Sequence, residues 1–171
     1  MDRILPGSKS QSANDAPRPD GSMYRFLACT ADQYMTRAVI TVTRQVTLRE
    51  LEGLFEKHDF NSFPAVEEGK MLGIVTKFDF LKAFAFTTGQ MVPHYDELMN
   101  RQAVEMMTEA VVHVEPITPL ARVLAIMVSL KTRSLPVIGP GRELLGMISR
   151  EDVMRALRET TSACDKPASC R

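Results

Sequence analysis

Residues 73–79 read GIVTKFD, and residues 146–153 read GMISREDV. Each stretch has an apolar approach, a hydroxyl residue, and an aspartate three positions after that hydroxyl. The apolar approach suits a short strand, and Thr-x-x-Asp or Ser-x-x-Asp has the spacing of a helix N-terminal capping box. One chain thus writes a strand turning directly into a helix twice.

Outward from these two stretches the neighbours stay in register. Met35-Thr36 recurs as Met107-Thr108, 72 positions on, as do Leu48 at Leu120 and Phe63-Pro64 at Leu135-Pro136. Gly73 and Asp79 recur at Gly146 and Asp152, 73 positions on, so one residue is inserted around Pro140 and Gly141. A single added loop residue, with all else in step, is what a duplicated structural unit tolerates.

Both units read in the same order. β-branched runs at 39–42 and 111–114 predict a first strand. In the first unit Leu48, Leu51, Leu54 and Phe55 then share one helical face, with Thr47 as N-cap and Glu50 three residues on. In the second, Leu120, Val123, Leu124, Met127 and Leu130 form the stripe, and Pro119 suits the first turn. Paired short strands follow at 63–66 and 72–75, and at 135–138 and 144–148, before the closing helix. Residues 1–22 are polar and predict a disordered leader; 23–86 hold the first repeat with its preceding helix. Residues 87–102 connect the repeats through a short helix at 95–99, and 103–159 hold the second repeat. Residues 160–171 predict a disordered tail, and Phe84 and Phe86 are expected to finish the closing helix of the first repeat. Neither repeat is long enough to bury a large core alone, so the two should pack together.

Charge and motif content exclude several functions. Lys and Arg number 21, as do Asp and Glu, which disfavours a broad basic surface for nucleic acid. The longest apolar run, 120–130, is broken by Arg122 and is too short to span a bilayer, so a soluble, cytoplasmic protein is expected. Cys29, Cys164 and Cys170 are scattered, and His58, His94 and His113 have no metal-ligand spacing. Thr76 and Ser149 have no base spaced to activate them, so no enzyme is expected.

Met-Thr, a strand, a helix, a Pro-containing strand, then Gly-x-x-(Thr/Ser)-x-x-Asp resembles the CBS domain, and two in tandem resemble a Bateman module. The resemblance spans about residues 30 to 158. It departs from the family at Pro64-Ala65-Val66-Glu67 and Pro136-Val137-Ile138-Gly139, where a Pro-Val-(Val/Ile)-Asp strand is common. It implies an α/β (α+β) fold of two tandem β-α-β-β-α repeats packed as a pseudo-two-fold intramolecular pair. It further implies a stand-alone regulatory module that needs no catalytic cofactor. Such a module binds AMP, ADP, ATP or S-adenosylmethionine in clefts between the repeats, pairs into a flat homodimer through its helices, and signals to a regulated partner protein. The alternative is a structural dimerisation or interaction module whose clefts stand empty.

The site residues follow from the same resemblance. The cleft with Asp152 draws Ser149, Asp152 and Met147 from the second repeat and Thr36, Ile40, Phe60 and Asn61 from the first. The cleft with Asp79 draws Thr76, Asp79 and Ile74, together with Thr108, Val112, Thr132 and Arg133. Elementary chemistry makes the assignment sensible: a helix start offers free N–H groups to phosphate, and an aspartate one turn on can accept from two ribose hydroxyls. The competing reading of Thr-x-x-Asp is a capping box alone. Arg133 is a phosphate candidate where the first repeat has Asn61, with Lys77 and Arg150 more peripheral; Glu151 adds negative charge beside Asp152.

Overall fold

The computed structural model describes residues 21–85 and 94–162. Helix α1 (Gly21–Ala28) and the single turn α2 (Ala31–Tyr34) lead into α3 (Leu48–Lys57), the hairpin β1 (Ser62–Glu67) and β2 (Lys70–Thr76), and α4 (Lys77–Lys82). The second repeat begins with α5 (Tyr95–Met99) and a 3₁₀ turn (Ala103–Met106). It continues through α6 (Leu120–Leu130), the hairpin β3 (Ser134–Ile138) and β4 (Leu144–Ser149), and α7 (Arg150–Ser162). The mixed α/β composition and the duplicated hairpin-plus-helix order agree with the sequence pattern. Both hairpins are antiparallel, and each carries a bulge, between Ala65 and Val66 and between Val137 and Ile138.

The β-branched runs at 39–42 and 111–114 do not become strands. Each pairs through one residue only: Val42 bridges Ala65 and Val114 bridges Val137, both parallel. The reason lies a few residues upstream. Thr36 exchanges two backbone hydrogen bonds with Met147, at 2.8 and 2.9 Å, and Thr108 does the same with Ile74, at 2.9 and 3.0 Å. Each segment therefore leaves the hairpin of one repeat and crosses to that of the other within six residues. A chain making that crossing cannot run along one sheet edge.

The crossing explains the glycine of each repeated stretch. A Cβ on Gly73 would stand 2.6 Å from the Thr108 carbonyl oxygen, and one on Gly146 would stand 2.8 Å from that of Thr36. The Met-Thr pair of one repeat thus lies directly on the glycine of the other.

The repeats also exchange their leading helices. Phe26, Ala31 and Met35 pack with Leu120, Val123, Met127, Ile148 and Val153 of the second repeat. Leu98, Met99 and Ala103 pack with Leu48, Leu51, Phe63 and Val75 of the first. The helix preceding the first repeat in sequence therefore completes the core of the second, and the connecting segment completes the core of the first. Burial of such side chains contributes roughly 1.5–3 kcal/mol each, so the exchange ties the halves into one unit.

Local signals hold with small corrections. Thr47 caps α3, its Oγ1 accepting from the Glu50 N–H at 3.3 Å while Glu50 accepts from the Thr47 N–H at 2.8 Å. Pro119 occupies the N-cap of α6, one position before the first turn expected for it. The leader was expected to reach residue 22, yet α1 begins at Gly21; residues 1–20 lie outside the described residues. The tail was expected from Thr160, yet α7 runs to Ser162. There the buried Thr160 hydroxyl donates to the Ala156 carbonyl at 2.8 Å, which satisfies it inside the last turns. Phe84 lies beyond α4 and packs its ring on Phe80 and Tyr95, while Phe86 lies outside the described residues. No helix among the described residues is long and apolar enough to cross a membrane.

Candidate functional site

Where the first repeat's crossing segment meets the β4–α7 turn, a cavity of about 450 Å³ opens between the repeats. From the second repeat Met147, Ser149 and Asp152 line it; from the first, Thr36, Ile40, Phe60 and Asn61. The structure thus brings together all seven residues expected for the Asp152 cleft. The crossing delivers Thr36 and Ile40, because the bridge to Met147 carries this segment over the turn. Phe60 reaches the cavity from the end of α3, its half-exposed ring stacked on His58 at 5.5 Å and edge-on to Phe63 at 5.9 Å.

Asp152 is 6% exposed and starts from an engaged state. Its Oδ2 accepts from the Ser149 N–H at 2.9 Å and from the Ser149 hydroxyl at 2.8 Å. Its Oδ1 accepts from Arg155 Nη2 at 2.9 Å, and Arg155 Nη2 also donates to the Tyr34 carbonyl at 2.7 Å. The capping box foreseen as the competing reading is therefore present. An ionised carboxylate has about four lone-pair directions, so capping and ion pairing leave one acceptor direction unused on a residue that lines the cavity.

Asp79 is built the same way. Its Oδ2 accepts from the Thr76 N–H at 3.0 Å and hydroxyl at 2.7 Å, and its Oδ1 from Lys82 Nζ at 2.7 Å. Burial acts to push this carboxyl up, but the Lys82 ammonium and the two Thr76 donors outweigh it and hold it below the usual aspartate value. Thr76, Asp79, Ile74, Thr108, Val112 and Thr132, expected around the second cleft, do not line the 450 Å³ cavity. Ile74 and Thr108 are joined by their backbone bridge, and Val112 is half-exposed. The Thr132 hydroxyl donates to the Ser134 carbonyl at 3.0 Å, and the Thr132 carbonyl accepts from Arg150 Nε at 2.9 Å.

Arg133 was expected with Asp79, and it lines the Asp152 cavity. It directly precedes β3, whose first residue Ser134 is the register partner of Ser149. The Arg150 N–H donates to the Arg133 carbonyl at 3.0 Å, which fixes Arg133 beside the β4–α7 turn. The first repeat has the same bond from Lys77 to Asn61, also at 3.0 Å, so Asn61 and Arg133 are structural equivalents. Lys77 itself stands over the Phe55 ring and does not line the cavity.

Sequence reasoning missed Ala38, Val39, Asp59, Ser62, Pro64 and Ser134, which also line the cavity. Ala38 and Val39 lie between Thr36 and Ile40 on the crossing segment, so a crossing read in place of a strand would have found them. Asp59 carries no motif of its own. Among the described residues no group of His, Cys, Asp and Glu is placed to hold a metal ion.

Two antiparallel hairpins, each closing on a capped helix and each pinned by the other repeat's Met-Thr segment around a shared cleft, define a tandem pair of small α/β domains. The chain belongs to the CBS-domain family: the CBS domain model matches residues 31–86 and again residues 103–159. Protein MJ1225 of Methanocaldococcus jannaschii is 30% identical over 128 residues, covering 72% of this chain and 45% of that protein. Its crystal structure superposes with a TM-score of 0.71 over 78% of this chain and 49% of that one. A second protein of the same organism, MJ0188, is 30% identical over 80% of this chain and 47% of its own length. The chain spans about half the length of these two curated relatives. The crystal structure of the CBS domain pair of MJ0100, in complex with 5′-methylthioadenosine and S-adenosyl-L-methionine, is 25% identical, with a TM-score of 0.61 over 75% of this chain and 94% of that one.

Proposed function

We propose that this chain is a regulatory sensor that binds an adenosine-containing ligand in the Asp152 cleft and signals its occupancy to a partner protein. Within this reading the ligand is AMP, ADP, ATP or S-adenosylmethionine. The observation that carries the proposal is the cavity itself. Residues from both repeats converge on one space of about 450 Å³, a size typical of small-molecule sites. In this reading Asp152 takes the ribose hydroxyls, the Phe60 ring and the backbone around Thr36 and Ile40 take the adenine, and Ser149 and Arg133 take the 5′ substituent. The ligand-bound CBS pair of MJ0100 supports this class of ligand.

On this reading Asp79 has a structural role because the 450 Å³ cavity lies at Asp152; the two carboxylates are otherwise engaged alike. The two occurrences of the repeated stretch thus divide into one ligand site and one helix cap. A homodimer formed through the helices, which leave Phe78, Leu81, Val128 and Met154 exposed, is part of the same proposal.

The test is isothermal calorimetry and thermal unfolding with AMP, ADP, ATP and S-adenosylmethionine. A ligand at one hundred times its Kd should stabilise the fold by about 2.7 kcal/mol, and Asp152→Ala should abolish the response while Asp79→Ala leaves it. If no adenosyl compound produces heat or shifts unfolding, the sensor reading fails and the empty interaction module stands.

A further inference from the structure

The Asp152 cleft holds more ionisable groups than the family pattern brought to it, and their pairing is uneven. Asp152 is matched by Arg155 at 2.9 Å, so that pair is neutral as a unit. Asp59, Glu151 and Arg133 also line the cavity, and among the described residues none of the three has an ion-pair partner within 4.0 Å. Arg37 and Arg150 keep their charge, since each donates only to a neutral carbonyl, of Asp32 and of Thr132, but neither lines the cavity. Apart from the Asp152–Arg155 pair, the unpaired charges that line the cleft are therefore two carboxylates and one guanidinium.

The start of α7 does not reverse that balance. A helix N-terminus favours anions, but Glu151 and Asp152 occupy its first turn and already supply the negative charge. The Ser149 and Asp152 N–H groups are used within the capping box.

We infer that Asp59 and Glu151 are specificity-determining residues: they select an adenosyl ligand whose 5′ substituent carries positive charge and disfavour nucleotides bearing phosphate. This inference rests on the adenosyl reading of the cleft and narrows it. A phosphate monoester brings about −1.5 to −2 charge at neutral pH, and each further phosphate adds more, against a lining that is already net negative. A sulfonium amino acid such as that of S-adenosylmethionine matches the lining group for group. Its carboxylate suits the forked guanidinium of Arg133, while its sulfonium and ammonium suit the two carboxylates.

Calorimetry on the full chain with S-adenosylmethionine, S-adenosylhomocysteine and ATP tests it. The first two differ by the methyl group that makes the sulfur cationic, so their ratio isolates that charge. An exposed ion pair contributes at most ~1 kcal/mol, or about five-fold in Kd, so the sulfonium supports a preference over S-adenosylhomocysteine of up to about five-fold. The expected order is S-adenosylmethionine tightest and ATP weakest, with the preference shrinking as salt is raised. The double variant Asp59→Asn with Glu151→Gln, at two exposed positions, should bring S-adenosylmethionine and S-adenosylhomocysteine to within about two-fold. Binding of all three compounds without a charge preference, or a preference that survives the double variant, overturns the selectivity and leaves the adenosyl site standing. Absence of binding by these three and by AMP overturns the adenosyl site itself.

Discussion

Substituting Gly146 by alanine tests the crossing on which the cleft depends. Its added Cβ would stand 2.8 Å from the Met35 sulfur and 2.8 Å from the Thr36 carbonyl oxygen. The Met35 side chain can turn aside, but a backbone oxygen held by the Thr36–Met147 bridge cannot do so cheaply. Overpacking of this kind costs about 1–3 kcal/mol. If the bridge opens to relieve it, two backbone hydrogen bonds of 2.8 and 2.9 Å weaken, each worth about 1 kcal/mol net. The expected destabilisation is therefore about 2–4 kcal/mol, a fall in Tm of about 4–16 °C for a chain of this size. Gly53 is the internal control: it is exposed within α3, and a Cβ there would meet nothing within 4 Å. Gly53→Ala should raise stability by roughly 0.5–1 kcal/mol through helix propensity. Thermal and urea unfolding of both variants measure the contrast. A Gly146→Ala protein that unfolds with the parent, beside a stabilised Gly53→Ala, would refute the tight crossing.

Three further outcomes follow from the same geometry. Met99→Ala, on the connecting helix but in the core of the first repeat, should cost about 2–5 kcal/mol, as should Leu51→Ala in the same cluster; a neutral Met99→Ala in urea unfolding would remove the helix exchange. Arg155→Met should lower stability by about 1–2 kcal/mol, since it leaves Asp152 and the Tyr34 carbonyl without this donor; unchanged unfolding would show that the bridge contributes nothing. Asp79 has a depressed carboxyl pKa in the folded state, so its contribution is present above the unfolded value of about 3.9 and is lost as pH falls through the lower folded value. Unfolding measured from neutral to acidic pH should show the stability gap to Asp79→Asn narrowing in that window, and a gap independent of pH would sink the assignment.

Duplication was legible because it lies in local signals. The capping boxes at Thr47, Thr76 and Ser149, the hairpins, and the stripes of α3 and α6 are each set by residues within a few positions of one another. The exchange between repeats was not legible, because nothing local to Met35-Thr36 says that its partner is Gly146-Met147 and not its own hairpin. Residues 39–42 show the cost most clearly: β-branched composition predicts a strand there, while a long-range demand to span two hairpins overrides it. The site divides the same way. Motif residues such as Ser149 and Asp152 are visible in sequence, whereas Asp59 is placed by the end of α3 and Arg133 by the register of β3 with β4.

That division bears on how a ligand could act at a distance. The Asp152 cleft is lined by the segment that carries α1 and α2 over to the second repeat, and Arg155 links the cleft carboxylate to the Tyr34 carbonyl at the end of α2. A ribose that draws on Asp152 must share it with Arg155, and Arg155 also stands over the Tyr34 ring at 5.9 Å. On the sensor reading, occupancy and the seating of α2 would be coupled through this guanidinium. The coupling can shift that seating by no more than the difference in ligand affinity between the two arrangements. α1 packs on both α6 and α7, and Val128 of α6 and Met154 of α7 are exposed. At Asp79 the equivalent cation, Lys82, stands over Phe78 of its own helix. Among the described residues, the same capped aspartate in the first repeat therefore lacks the cross-link to a leading helix that Arg155 supplies in the second.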